Sequence, residues 1–152
     1  MSDPLLTPGR AIITIANLLY AVGAFAADFN ETHVYNPRWP PHARFHNGQT
    51  MTLGVFLSAM SLYFAYRRPT GSSSASGSPG GAAARESMFY SALIGSFYCA
   101  AGMTAIWYPG TDWKDPDIRV GGGQPALFSG VVVAMWVGYA LEVSRLGKAK
   151  AV

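Results

Sequence analysis

Four stretches of the sequence carry no Asp, Glu, Lys or Arg: residues 11–27, 45–66, 87–111 and 120–141. A helix that crosses the hydrocarbon of a bilayer needs roughly 17–25 mostly apolar residues, and each stretch fits that window. A soluble four-helix bundle would show charges at every turn of its outer faces, and these runs show none. With their flanking prolines and polar residues, the expected helices cover about residues 8–28, 41–66, 86–108 and 125–146. The pattern predicts an all-α fold: an integral membrane four-helix up-and-down bundle, forming one four-span domain over residues 1–152.

Polar and small positions orient these helices. Thr14, Asn17, Ala21, Ala24 and Asp28 make one stripe along the first helix, and polar groups in lipid turn towards the bundle interior. Ser91, Gly95, Tyr98 and Gly102 share a face of the third helix, and Gly130, Ala134 and Gly138 one of the fourth. Small-residue faces let helix backbones approach closely. Residues 69–84 read as a flexible Ser/Gly/Ala linker. The Gly121–Gly123 run lacks the spacing of a phosphate loop and reads as a hinge before Pro125.

Charge sets the topology. Arg10, Arg67, Arg68, Arg85, Arg145, Lys148 and Lys150 lie on one side of a four-span arrangement, and Arg38, Arg44, Lys114 and Arg119 on the other. Positive residues favour the cytoplasmic side, so both termini are expected there, with the first and third loops lumenal or exterior. The location expected is a multi-pass membrane protein, in the endoplasmic reticulum if the cell is eukaryotic. Only 12% of residues are charged, against roughly 25% in typical soluble domains. The net charge of +3 comes from residues at membrane borders and does not indicate nucleic acid. A rival reading makes the first run a signal peptide, but Asp3, Pro4 and Pro8 precede an apolar run longer than the usual roughly 7–15 residues. The lone cysteine, Cys99, excludes a CxxC redox centre and reads as a small packing residue.

The first loop, residues 28–49, holds all three histidines amid polar, aromatic and proline residues. A second helix starting near Pro41 puts His42, His46, Gln49 and Leu53 on one face. In an up-and-down bundle the lumenal helix ends converge, so Asp28, Thr104, Trp107, Tyr108 and Gln124 are expected around the same pocket. A neutral imidazole beside a carboxylate suits proton transfer near neutral pH. The expected catalytic groups are His42 and His46, oriented by Asp28 or Glu31. The expected substrate-binding groups are Gln49, Arg44, Asn30, His33, Trp39, Tyr108 and Asn17. No cofactor is required on this reading. The alternative is a divalent metal, since His42 and His46 have the i, i+4 spacing of a ligating pair, with His33, Asp28 or Glu31 as the third donor. Trp39, Trp107 and Trp113 also suit an interfacial belt. Asn30–Thr32 forms a glycosylation sequon, too close to the membrane to be expected in use.

The stretch from Ala27-Asp28-Phe29-Asn30-Glu31-Thr32-His33 through Asn36-Pro37-Arg38-Trp39-Pro40-Pro41-His42-Ala43-Arg44-Phe45-His46-Asn47-Gly48-Gln49 resembles the signature of a small four-span membrane family of unknown function found mainly in fungi. The resemblance implies membership and a membrane location and brings no established reaction. Emopamil-binding-type sterol isomerases and small fungal anthrone oxygenases are similar in size or span number, but neither motif is present. The expected function is an enzyme acting on a lipophilic small molecule by acid–base chemistry, of isomerase, cyclase or hydratase type. The alternatives are a non-catalytic binding or assembly subunit and a metal-dependent or cofactor-free membrane oxygenase. The expected partners are that small molecule and membrane lipid, with a homo-oligomer left open.

Overall fold

The computed structural model describes residues 4–68, 79–114, 116 and 122–148. Helix α1 spans Pro8–Asp28. Its cap is Thr7, whose side chain accepts from the Arg10 backbone N–H at 3.3 Å, and Pro8 supplies a preset φ at the first helical position. Helix α2 spans Pro41–Tyr66, again entered through a proline. Helix α3 spans Pro79–Thr104 and tightens into a 3-10 turn over Ala105–Trp107. Helix α4 spans Gln124–Lys148, with Arg145 and Lys148 in the last turn, where positive side chains offset the helix dipole.

Three of these helices agree with the sequence reading to within two residues. The other does not: α3 starts at Pro79, roughly two turns before the expected start. Pro79 suits a first helical position and Ala82, Ala83 and Ala84 are strong helix formers, while Gly80 and Gly81 between them are weak ones. Residues 69–78 of the expected linker, and Gly121 of the expected hinge, lie outside the described residues.

The helices form a ring in which α1 packs on α2, α2 on α3, α3 on α4 and α4 on α1, while α1 and α3 also touch across the diagonal. Neighbours run antiparallel. Thr7 at the start of α1 meets Glu142 near the end of α4, Arg10 Nε donates to Ala65 O at 3.0 Å near the end of α2, and Asp28 at the end of α1 meets Asn47 near the start of α2. The core contains Ile13, Ala16, Tyr20, Met88, Ala92, Cys99, Val131 and Met135. Glycines set the closest approach. A Cβ on Gly9 would lie 2.5 Å from Gly138 O, and one on Gly138 2.7 Å from Ile13 Cγ1. A Cβ on Gly102 would lie 2.5 Å from the Phe128 ring. Gly130, expected on the packing face of α4, has open space around it.

Polar side chains share the interior with this core, and the exterior is widely apolar. Asn17, Ser61 and Ser91 are 0% exposed, and Glu142 1%, while Ile15 and Phe56 are 66% exposed and Val133 60%. Leu18, Val22, Phe25, Leu53, Met60, Phe97, Leu127 and Val137 extend the apolar exterior. Monomeric soluble proteins rarely expose a contiguous apolar surface of this extent. By length and composition three helices can cross a bilayer: Pro8–Asp28, Gly81–Trp107 and Gln124–Lys148. Helix α2, expected to be a fourth span, falls short of that standard because its first half carries His42, Arg44, His46, Asn47, Gln49, Thr50 and Thr52.

Candidate functional site

The C-terminal end of α1 and the first turns of α2 bring the expected residues into two groups instead of one. The first group hangs on the loop between these helices. Asn30 folds back on α1, its Nδ2 donating to Ala27 O at 2.7 Å, while its Oδ1 accepts from the Thr32 N–H at 2.8 Å and the Thr32 hydroxyl at 2.7 Å. That hydroxyl proton is therefore committed to Asn30. The Thr32 oxygen, 2.7 Å from His33 Nδ1, must accept, so His33 carries its proton on Nδ1 and leaves the Nε2 lone pair for chemistry. Asp28 Oδ1 lies 3.8 Å from the same Nδ1, and Asp28 Oδ2 accepts from Asn47 Nδ2 at 2.9 Å. The Trp39 ring stands edge-on to His33 with centroids 4.9 Å apart. Asn36 Nδ2 donates to Thr32 O at 3.1 Å, and Arg44 donates to Asn36 O at 2.7 Å. Both His33 and Asp28 are partly buried.

The second group stands on the outward face of α2. His42 and His46 lie one turn apart with their Nε2 atoms 3.0 Å from each other, and Gln49 Oε1 lies 3.2 Å from His46 Nδ1. Phe45 stacks on His42 at 6.0 Å and meets His46 edge-on at 5.4 Å. Beside them runs an open groove of about 660 Å³ lined by Arg44, Phe45, Gly48, Gln49, Thr52, Leu53 and Phe56. A second groove of about 410 Å³, almost wholly apolar, lies between α1 and α2.

The expected grouping is thereby revised in several places. His33 is the imidazole beside Asp28; His42 and His46 face outward, because the helix turns about 100° per residue and Asn47 takes the inward position. Asn17, expected among the substrate-binding groups, lies within the helix packing. It is fully buried, its amide donating to Ile13 O and Ser61 Oγ at 2.9 Å each, and its oxygen accepting from the Tyr20 hydroxyl at 2.9 Å. Asn30 likewise commits its side chain to the loop and to the end of α1. Glu31 is exposed on the loop surface. Trp107 and Tyr108 are largely exposed and converge on neither group, as suits an interfacial belt. The alternative metal triad His42, His46 and His33 is not assembled: among the described residues no three His, Cys, Asp or Glu side chains come together.

Three residues of consequence carried no expected role: Thr32 and Asn47, which fix His33 and Asp28, and Glu142 at the opposite end. Glu142 accepts from the Thr7 hydroxyl and pairs with Arg145 at 2.9 Å. Its signal in the sequence is a lone acid directly after a charge-free run.

The architecture and the exterior thus define a class, a small all-helical bundle with bilayer-length apolar helices. Within it, the chain belongs to a family of unknown function, DUF6640, whose model matches residues 12–152. No curated protein matches the chain, and no solved structure does.

Proposed function

We propose that the protein is a four-span membrane enzyme that takes a lipophilic small molecule from the bilayer and moves a proton on it with His33. The observation that carries this reading is the Thr32–His33–Asp28 arrangement: an imidazole with its tautomer fixed at Nδ1, its Nε2 unpledged, and a carboxylate 3.8 Å away. His33 Nε2 would remove a proton from the substrate, Asp28 would stabilise the imidazolium, and the same proton would return at another position, as in an isomerisation or cyclisation. Arg44, which lines the α2 groove and also bonds Asn36 O on the loop that carries His33, would hold a polar group of the substrate between the two, with the reacting atom at the loop and the apolar part over Leu53 and Phe56.

The test starts from detergent-purified protein, whose solvent extract is searched by mass spectrometry for a bound lipophilic compound. That compound, returned to the protein in D2O, should take up deuterium. The rate should fall by about 100-fold or more in His33→Gln, given what general acid–base catalysis typically contributes, and by less in Asp28→Asn. Exchange undiminished in His33→Gln sinks the proposal.

A second reading, a non-catalytic assembly subunit, is favoured by one observation. The loop engages Asn30, Thr32 and Asn36 with its own backbone, and residues 29–40 line neither groove. Such a loop makes a firm docking surface, and a protein that yields no bound compound but retains a stoichiometric protein partner would support it.

A further inference from the structure

The pair His42 and His46 has a feature that proton transfer at His33 does not use. Its two Nε2 atoms face each other at 3.0 Å. Two imidazole nitrogens bound at about 2.0–2.1 Å to one tetrahedral cation lie roughly 3.3 Å apart. The observed separation falls short of that spacing by roughly 0.3 Å.

The surrounding hydrogen bonds point the same way. Gln49 Oε1 can only accept, so His46 Nδ1, 3.2 Å away, carries the proton. His46 Nε2 is then a bare lone pair directed at His42. A hydrogen bond from the far ring nitrogen to a carbonyl or carboxylate is the usual orienting contact of a metal-ligating histidine. On that assignment His42 donates its Nε2 proton to His46, and moving that proton to Nδ1 leaves a lone pair on each of the two facing nitrogens. Neither histidine is buried, so a cation has access.

We propose that His42 and His46 form a two-donor site for a divalent cation of the imidazole-preferring class, zinc, nickel or copper, with its remaining coordination positions open to water or an outside donor. The absence of a third protein ligand among the described residues makes this an open site, unlike a closed structural one. Its place gives the openness a use. Phe45 and Gln49, which touch the histidines, also line the α2 groove, so the site stands at the groove's rim, where the polar head of a seated amphiphile can complete the coordination. This inference does not depend on the reading of His33.

Tag-free protein in detergent, stripped with a chelator, is dialysed against zinc chloride, with copper(II) chloride as a spectroscopic probe. One zinc ion per chain and a copper spectrum showing two nitrogen donors are expected. Binding should weaken at least about tenfold in His42→Asn and in His46→Asn, while His33→Asn should bind as the wild type does. Gln49→Ala keeps both donors and should weaken binding about tenfold, the usual cost of losing an orienting partner. Size-exclusion elution matching the wild type shows each variant folded. Zinc binding unchanged in the His42 and His46 variants overturns the site. One zinc per two chains, with the particle mass doubled, overturns its openness and makes it a site shared between copies.

Discussion

Glu142 is buried at 1% exposure between the start of α1 and the end of α4, and both of its oxygens are engaged. Arg145 closes one side at 2.9 Å, and the Thr7 hydroxyl closes the other. Thr7 also caps α1, so the carboxylate ties the entry of one helix to the exit of another. Removing one partner of a buried pair leaves the other uncompensated, at roughly 3–5 kcal/mol when both are fully buried. Arg145 keeps 29% of its side chain exposed, so Glu142→Ala should cost less, about 2–3 kcal/mol by the same reasoning. Glu142→Gln, which still accepts from Thr7, should cost less again. Thermal unfolding in detergent, read by circular dichroism, checks that order; a Glu142→Gln midpoint equal to that of the wild type would show that the charge contributes nothing, and one equal to that of Glu142→Ala that the bond kept to Thr7 contributes nothing. The same scale separates readable from unreadable residues. That His42 and His46 share a face follows from their spacing alone. That Asp28 meets His33 and Asn47 depends on a loop whose path is set by the Asn30 and Asn36 turns, which no periodicity records.

At the scale of the element, helix contacts depend on where backbones touch. Gly9 and Gly138 face each other so closely that a side chain on either meets the other's carbonyl. Gly138→Val should therefore destabilise the bundle by about 2 kcal/mol or more, as overpacking a filled interface does. Gly130→Ala, in open space, should be neutral or stabilise by up to about 1 kcal/mol through helix propensity. Paired melting curves of the two variants test this, and a Gly138→Val protein as stable as the wild type would remove the close α1–α4 contact. The small-residue pattern singled out both α4 positions, 130 and 138, because spacing places them on nearly one face. It could not tell which of them a neighbouring helix covers. Helix α2 shows the converse limit: its charge-free run predicted a span, while its polar first half leaves it less apolar than the other three.

For the whole molecule the open issue is how many helices cross the bilayer. The exposed apolar residues Leu53, Phe56, Met60 and Tyr63 continue along the second half of α2, and α2 packs between α1 and α3 as a full member of the ring. We expect four crossings. With Cys99 replaced by alanine, single cysteines at Leu6, Glu31 and Lys148 can be probed by a membrane-impermeant maleimide in sealed vesicles. Four crossings put Leu6 and Lys148 on the same side and Glu31 on the other. Labelling of Leu6 and Lys148 from opposite faces would mean that only three helices cross.

Hydrophobic and charged patterning determined by itself that this chain is all-helical, where α1 and α2 begin and end, and that its exterior is apolar. These are one-dimensional properties: proline at a first turn, a run without charge and a polar stripe at helical spacing act through the local backbone. Only the tertiary structure decided which histidine stands beside Asp28, that Asn17 binds helices to one another, and that Glu142 is buried. Each of those depends on which helix face another helix covers, and on a loop that folds upon itself. Both are set by packing among segments far apart in the chain, where the sequence carries the residue types but not their meeting.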